Sequence, residues 1–285
     1  VFSDRRFPPD WVSSERLSVI WPSIDPFSPK NQDLDDATVE AILTHVGLID
    51  GTPGDTVFER SDGSPGRVER MCDVMRTGPS PTPDVPLVVQ ISRWDSMKDM
   101  GGVMEAFAEY VDSGRDAQLV LAGPVVSAVA DDPEGGQVLQ DCWNQWRRLP
   151  HAVRARVQLV CLPMHDLEEN AVIVNALQRH ARVVAQKSLA EGFGLTAAEA
   201  MLKGTPVVAS AVGGLVDQVI DGESGLLVQD PTDLEEFGTA VCRILDDDEF
   251  RRRLGAGARA RAIATHLGDT HLLRWLDVVR TLFDD

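Results

Sequence analysis

Short apolar runs alternate with longer amphipathic stretches from residue 86 to about residue 266. The runs are rich in Val and Leu and show little polar alternation, which is the pattern of strands covered on both faces, as in a parallel sheet. They span residues 87–92, 118–122, 157–162, 182–186, 206–210 and 225–229. The sequence therefore predicts six buried strands in this region.

The stretches between these runs carry apolar residues at helical spacing. They include a stripe formed by Met100, Val103, Met104, Phe107 and Val111, and similar patterns at residues 166–180, 196–203 and 234–245. Alternating strands and helices predict an α/β fold, a Rossmann-like parallel sheet with helices on both faces. Because ligands of such sheets bind beyond the carboxyl ends of the strands, the loops that follow strands matter most.

The flanking segments have weaker patterns. Residues 17–21 predict a strand, residues 35–46 a helix, and residues 270–283 a final amphipathic helix. Ten Gly or Pro residues between 51 and 83 predict a long, irregular and mobile connection. Because no βαβ pattern precedes residue 85, this part is too short for a second complete α/β domain.

Charge and composition narrow the range of partners. The formal net charge of −18 argues against a nucleic-acid partner, since phosphate backbones are bound by clustered Lys and Arg, whereas a nucleotide needs only a local positive pocket. No apolar run reaches the roughly 18–20 residues that cross a bilayer, and the start lacks a signal-peptide pattern. Four Cys without CxxC spacing and six His without HExxH predict no disulfide framework and no metal site, and they favour a cytoplasmic protein.

The most informative loop lies at residues 188–204 (SLAEGFGLTAAEAMLKG), between the fourth predicted strand and a helix. Gly192 and Gly194 allow a sharp turn and close approach to a ligand, and the start of the helix offers N–H groups to an anion. Glu191 and Glu199 supply carboxylates suited to sugar hydroxyls. A structural alternative stays open, because the segment from Thr196 to Glu199 also matches a capping box.

A second loop, residues 90–99 (QISRWDSMKD), follows the first predicted strand. Arg93 and Lys98 would project from the carboxyl end of that strand. A planar guanidinium and a mobile ammonium can together neutralise a diphosphate, including one that develops as a leaving group. The alternative is that both side chains are solvated on a surface loop.

A third loop, residues 210–215, joins the fifth predicted strand to a helix and contains Gly213 and Gly214. Two adjacent glycines allow close backbone approach to a sugar or phosphate, although they also occur in plain turns. The order of the three loops carries more information than any one of them, because two cations, a glycine-rich carboxylate loop and a diglycine follow in sequence.

These residues resemble the carboxyl-terminal domain of retaining GT-B glycosyltransferases of family 4, over about residues 86–265. Glu191 and Glu199 match the E-x7-E motif of that family, and Arg93 and Lys98 match its pair of diphosphate-binding cations. The strings KGTPVV at 203–208, VGG at 212–214 and DGESGLLV at 221–228 continue the match in order.

Within this family the chain is most similar to the branch of trehalose synthases and trehalose phosphorylases. The phrases that carry this resemblance are PSIDPFSPKN at 22–31, SRWDSMKD at 92–99, DDPEG at 131–135, VNALQR at 174–179 and QKSLAEGFG at 186–194. Asp99 stands where many relatives have Gly.

The resemblance implies a role for each site residue. Arg93, Lys98 and Glu191 would be the catalytic set, the two cations holding the donor diphosphate, or phosphate in a phosphorylase. Glu191 would bind donor-sugar hydroxyls, and Glu199 would accept hydrogen bonds from the ribose. The remaining donor-binding positions would be Gly192, Phe193, Gly194, Leu195, Thr196, Gly213 and Gly214. No cofactor and no metal ion are required by this family.

The family's active site lies between two domains, so the resemblance also predicts how the chain is organised. Residues 1–84 would be a remnant of the amino-terminal domain with the interdomain connection, residues 85–266 the nucleotide-sugar-binding domain, and residues 267–285 a helix crossing to the missing amino-terminal domain. Without that domain, which binds the acceptor, the chain alone is expected to be inactive.

The implied reaction is transfer of glucose from UDP-, ADP- or GDP-glucose to a sugar acceptor, with trehalose as a candidate product. Alternatives are a trehalose phosphorylase and a non-catalytic nucleotide-sugar-binding module. A dinucleotide-dependent oxidoreductase is disfavoured, because no GxGxxG follows the first strong strand. The nucleotide base, the acceptor and the oligomeric state, for which a homodimer is one option, are left open.

Overall fold

A mostly parallel sheet of seven strands lies at the centre of the protein. The computed structural model describes residues 1–3, 6, 8–13, 17–111, 114–126 and 134–283. The sheet contains β3 (Asp73–Met75), β4 (Leu87–Ile91), β5 (Gln118–Pro124), β6 (Val157–Leu162), β7 (Val183–Gln186), β8 (Val207–Ser210) and β9 (Leu226–Val228). The six predicted strands correspond to β4 through β9, so the predicted α/β fold is confirmed.

The order of the strands is β3-β6-β5-β4-β7-β8-β9. All neighbours from β6 to β9 are parallel, and β3 pairs antiparallel with β6. The chain thus builds outwards from β4 through β5 to β6, then returns to place β7 on the other side of β4. This reversal is the topological switch point of a doubly wound sheet, where ligands bind outside the carboxyl ends of the strands.

Ten α-helices connect and cover the strands among the described residues. They are α1 (Asp36–His45), α2 (Met100–Ala106), α3 (Gly135–Arg148), α4 (His151–Arg154), α5 (Leu167–His180), α6 (Leu195–Leu202), α7 (Leu215–Gln218), α8 (Leu234–Asp246), α9 (Asp248–His266) and α10 (Gly268–Phe283). A 3-10 turn at Ser96–Lys98 precedes α2, and a π-helical turn at Phe107–Val111 extends it. None of these helices combines the length and apolar character needed to cross a membrane.

Each face of the sheet has its own hydrophobic core. Successive residues of one strand contribute to opposite cores, as Val88 and Val89 of β4 do. The predicted strands lack polar alternation because their side chains are buried on both faces of the sheet. One core includes residues of α1, α5, α6 and α9, and the other residues of α2, α3 and α8. Burial of each Val or Leu stabilises the fold by roughly 1.5–3 kcal/mol.

The segment 51–83 differs from its prediction as a long, irregular and mobile connection. It forms an antiparallel hairpin of β1 (Val57–Glu59) and β2 (Pro65–Arg67), followed by the edge strand β3. Arg60 fastens the hairpin to the start of α5 through Asp166 at 2.7 Å and Glu168 at 2.9 Å. The Gly and Pro count identifies turns, but strands of three residues are defined by their partners and have no periodicity of their own.

The three predictions for the flanking segments have different outcomes. The strand expected at residues 17–21 is wrong, because the structure has only an isolated bridge between Phe2 and Val19. The helices expected at 35–46 and 270–283 are confirmed as α1 and α10. Of the phrase at 131–135, residues 131–133 lie outside the described residues. The predicted division of the chain into segments at residues 84 and 266 stays a prediction. Helix α1, from the first of these segments, packs directly against α5 of the second.

Candidate functional site

The candidate site lies where the loops after β4 and β7 meet at the switch point of the sheet. Because β4 and β7 are adjacent parallel strands, their carboxyl ends deliver both loops to the same edge. The first loop contains Arg93 and Lys98, and the second contains Glu191. A backbone hydrogen bond from Leu189 N to Met97 O, 2.8 Å long, fastens the two loops together.

Lys98 and Glu191 form an ion pair in this site. Lys98 Nζ lies 2.6 Å from Glu191 Oε2, and both side chains are largely buried. The same oxygen accepts hydrogen bonds from Gln186 Nε2 at 3.0 Å and Ser188 Oγ at 3.2 Å. Three donors therefore fix one carboxylate oxygen in place. The structure brings together a predicted cation and a predicted acid that are far apart in sequence.

Arg93 takes a more open position than Lys98. Its side chain is 60% exposed, and its Nη2 lies 3.0 Å from Asp95 Oδ2. Asp95 also accepts a hydrogen bond from Met97 N at 2.8 Å, which begins the 3-10 turn ending at Lys98. The ion pair with Asp95 contributes only about 0–1 kcal/mol, because exposed ion pairs are weak. A contact of Arg93 with an anionic ligand stays a prediction.

The glycine loop leads into α6 through a left-handed residue. Gly194 is the N-cap of α6 with φ of 89°, and no side chain among the described residues caps this end. The capping box predicted from Thr196 to Glu199 is therefore wrong, because the helix begins at Leu195, two residues too early for Thr196 to act as N-cap. The N–H groups of the first turn, from Leu195 and Thr196, lie at the positive end of the helix dipole.

Gly213 and Gly214 pack against the glycine loop. Gly214 N donates a hydrogen bond of 2.8 Å to Gly192 O. Gly213 has φ of 51°, and a Cβ there would lie 1.7 Å from Glu191 O, while a Cβ on Gly214 would lie 2.8 Å from Phe193 Cα. The close approach in the structure is thus to another backbone segment. A direct contact of this diglycine with a donor stays a prediction.

Phe193 is directed into the protein. Its ring contacts the ring of His266 edge-on, with 5.6 Å between centroids, and its carbonyl oxygen accepts a hydrogen bond from Gln218 Nε2. The side chain is buried, and the predicted use of the N–H group of Phe193 stays a prediction.

Glu199 is buried on α6 and faces the segment that precedes α1. Its Oε2 lies 3.0 Å from Lys30 Nζ. One turn later, Lys203 Nζ donates to Asn31 Oδ1 at 2.9 Å, and burial lowers the pKa of Lys203 to about 7. The structure thus pairs Glu199 with Lys30, whereas Lys98 pairs with Glu191. Its contact with a ribose stays a prediction.

Several polar residues of the site were missed from the sequence. Gln90, Gln186, Lys187 and Ser188 are all buried and border the loops, and Asp99 contacts Lys187. A signal was available, because Gln90 and Gln186 interrupt otherwise apolar strand runs near their carboxyl ends. A buried polar side chain in such a run requires a hydrogen-bond partner, and at a switch point that partner belongs to the site.

The described residues contain no group of three or more His, Cys, Asp or Glu side chains arranged to hold a metal ion. The charged groups of the site form ion pairs of a basic side chain with a carboxylate, as in Lys98 with Glu191 and Arg93 with Asp95. Such a site can hold an anion against Lys98 and the α6 start while Glu191 accepts hydrogen bonds from hydroxyl groups.

Comparison with known proteins identifies relatives of this chain. The family described as glycosyl transferases group 1 matches residues 77–261. The chain is 31% identical to the trehalose synthase of Pyrococcus horikoshii over 278 residues, which cover 96% of this chain and 56% of that protein. It is 32% identical to the trehalose synthase of Rubrobacter xylanophilus, covering 94% of this chain and 53% of that protein. The chain thus spans about half the length of these relatives.

Solved structures show the same fold. Sucrose-phosphate synthase from Thermosynechococcus elongatus matches with a TM-score of 0.59 and 31% identity, over 71% of this chain and 46% of that chain. HepE from Anabaena, solved in complex with UDP and glucose, matches with a TM-score of 0.66 and 18% identity, over 96% of this chain and 59% of that chain. With the family match over residues 77–261, the chain belongs to the group 1 glycosyl transferases, which have the GT-B fold.

Proposed function

We propose that the chain is the carboxyl-terminal, donor-binding half of a retaining glycosyltransferase of family 4. The observation that carries this proposal is the pairing of Lys98 with Glu191 beside the start of α6, which no described side chain caps. This arrangement has a cation for a diphosphate, N–H groups for phosphate oxygens and an acid for sugar hydroxyls. The trehalose synthase relatives support glucose as the transferred sugar and trehalose as the product.

In this proposal the reaction depends on positioning and charge stabilisation. Lys98 and Arg93 stabilise the negative charge that develops on the departing diphosphate, while Glu191 orients the glucose through its hydroxyls. Lys98 is preorganised by Glu191, whereas Arg93 closes over the diphosphate from the rim. No metal ion is needed, since two cationic side chains and a helix start supply the positive charge.

The proposed donor is a nucleoside diphosphate glucose. The structure of HepE with UDP and glucose supports a uridine nucleotide as the first candidate, with ADP- and GDP-glucose as the others. We further propose that the acceptor is bound by an amino-terminal half, and that the exposed apolar residues of α10, including Leu272, Leu276 and Leu282, pack against that half.

Calorimetric titration with UDP-, ADP- and GDP-glucose tests donor binding. We expect one of them to bind, and we expect Lys98→Met to weaken its affinity by about 10²-fold, because a charge-assisted contact to the diphosphate is lost. Failure of all three to bind the wild-type chain would contradict the proposal. Tight binding of glucose 1-phosphate or inorganic phosphate instead would favour a phosphorylase.

Arg93→Ala provides a second test with a matched control. Arg67 is similarly exposed and pairs with Asp55 at 2.9 Å, and it lies on β2 rather than in a loop of the site. We expect Arg93→Ala to weaken donor binding about tenfold through the lost phosphate contact. Arg67→Ala should leave the affinity unchanged. Equal affinities for the two variants would remove Arg93 from the proposed site.

A further inference from the structure

A second ion pair, between a buried lysine and a partly exposed aspartate, joins the two loops of the site. Lys187 is fully buried, and its Nζ contacts Asp99 Oδ2. Asp99 follows Lys98 in sequence, and Lys187 begins the loop that ends at Glu191. The pair therefore spans the same two loops as the ion pair of Lys98 with Glu191.

Asp99 has a left-handed backbone conformation. Its φ is 47°, and among the described residues it is the only non-glycine with positive φ. Its Oδ1 also accepts a hydrogen bond from Gly102 N at 3.1 Å, so it caps α2 as well. Glycine would adopt this backbone at lower cost but has no carboxylate for Lys187.

Gln90 links the same loops through their backbones. Its Nε2 donates to Lys98 O at 2.6 Å, and its Oε1 accepts from Lys187 N at 3.3 Å. A shift of either loop would therefore break the ion pair of Asp99 with Lys187 and also the bonds to this buried glutamine. The backbone positions of Lys98 and Lys187 are set together.

We propose that Asp99 and Lys187 are positioning residues that hold Lys98 and Glu191 at the separation required by a sugar diphosphate. This inference rests on the proposed function of the site. Asp99 also caps α2, but its contact with Lys187 joins the two loops that contain Lys98 and Glu191, and helix capping does not require that contact. The phrases at 92–99 and 186–194, which carry the resemblance to the trehalose branch, meet in this contact as well as in the pair of Lys98 with Glu191.

Lysine NMR tests the inference without any ligand. The chain has four lysines, at positions 30, 98, 187 and 203, so the Cε resonances can be assigned by substitution. We expect Asp99→Asn to move the Lys98 resonance towards its position in Glu191→Gln, because the pair of Lys98 with Glu191 loosens. A Lys98 resonance that stays at its wild-type position in folded Asp99→Asn would overturn the proposal.

Donor binding provides the second measurement. We expect Asp99→Asn to weaken UDP-glucose binding at least about tenfold and UMP binding less than threefold, since UMP lacks the glucose and one phosphate. The control is Asp35→Asn, because Asp35 caps α1 by accepting from Thr38 N at 2.7 Å and has no part in the site. Equal losses for both ligands would indicate general destabilisation and would contradict positioning.

Folding of the variants is controlled by removing both charges. Lys187→Met leaves Asp99 without its partner, whereas Asp99→Asn with Lys187→Met leaves neither charge buried alone. We expect the double variant to fold and still show the displaced Lys98 resonance. If the wild-type chain binds no nucleotide sugar while the Lys98 resonance moves as expected, the proposed function fails and the positioning role stands.

Discussion

His266 is a fully buried histidine at the end of α9, next to the glycine loop. Its ring packs between Trp21, at 5.7 Å between centroids, and Phe193, at 5.6 Å. Neither ring nitrogen has a hydrogen-bond partner among the described residues. Burial lowers the pKa of His266 to about 4, and the nearby guanidiniums of Arg261 and Arg274 act in the same direction. The imidazole is therefore neutral at pH 7.

The first residue-scale prediction concerns acid stability. Between the ordinary histidine pKa near 6.5 and the folded value of about 4, the unfolded chain binds the extra proton. The free energy of unfolding should therefore fall by about 3 kcal/mol as pH drops through this window. Urea unfolding from pH 7 to pH 4 measures it. In His266→Phe the free energy of unfolding should fall less over this pH range. In the control His165→Gln, at an exposed histidine, it should fall as much as in the wild type. Identical pH dependence in His266→Phe and the wild type would contradict the prediction.

The hairpin of β1 and β2 shows how one side chain anchors an element. Arg60 contacts both Asp166 and Glu168, and its hydrogen bond lowers the pKa of Asp166 to about 2. Asp166 is also the N-cap of α5 and accepts hydrogen bonds from Glu168 N and Glu169 N. The hairpin and the helix start therefore share one carboxylate.

Arg60→Met should detach this hairpin partly. We expect the free energy of unfolding at pH 7 to fall by about 1 kcal/mol, since these side chains are partly exposed. A depressed carboxyl pKa stabilises the fold above about pH 4 and loses its effect as pH falls through about 2. The difference between wild type and variant should therefore shrink at pH 2. A constant difference across that range would show that Arg60 acts by packing alone.

The contact of the diglycine with the glycine loop gives a second element-scale prediction. Gly213→Ala meets a backbone oxygen, whereas Gly222 has φ of 75° with nothing within 4 Å of an added Cβ. Gly222→Ala should cost about 1–2 kcal/mol from φ alone. Gly213→Ala should cost about 1–3 kcal/mol more through overpacking, and should weaken UDP-glucose binding. Equal free energies of unfolding for the two variants would show that the close contact between Gly213 and the backbone of Glu191 does not contribute to stability.

The sequence predicted the elements whose pattern is local. Strands β4 to β9 appear as apolar runs because both faces are covered, and Lys98 and Glu191 follow such runs directly. The short strands β1 to β3 and the pairing of Asp99 with Lys187 were missed, because each depends on a partner far away in the chain. The capping box failed for a related reason, since a left-handed Gly194 lets α6 begin earlier than the box requires.

At the scale of the whole molecule, α10 stands out as a helix with no buried residue. Its exposed apolar side chains include Leu272, Leu273, Leu282 and Phe283. The helix is attached near its start by His271 Nδ1, 2.8 Å from Trp21 O. Such a face is able to cover another protein surface, whether an amino-terminal half or a second copy of this chain.

Substitutions on this helix should change association without changing stability. We expect Leu272→Glu with Leu282→Glu to keep the free energy of unfolding within about 0.5 kcal/mol, because both side chains are exposed. Sedimentation velocity at high protein concentration should show less self-association than in the wild-type chain. The buried control Leu177→Ala should instead lose about 2–5 kcal/mol. A large loss of stability in the α10 variant would contradict an unpartnered helix.

The two outermost strands of the sheet, β3 and β9, have three residues each. Backbone groups left without a neighbour at an open margin can recruit strands from other chains and start aggregates. Here each margin of the sheet offers only three residues for such pairing, which is too short to hold a strand from another chain in register. The margins of this sheet, whose central strands are almost entirely apolar, therefore offer little opportunity for fibril growth from the folded state.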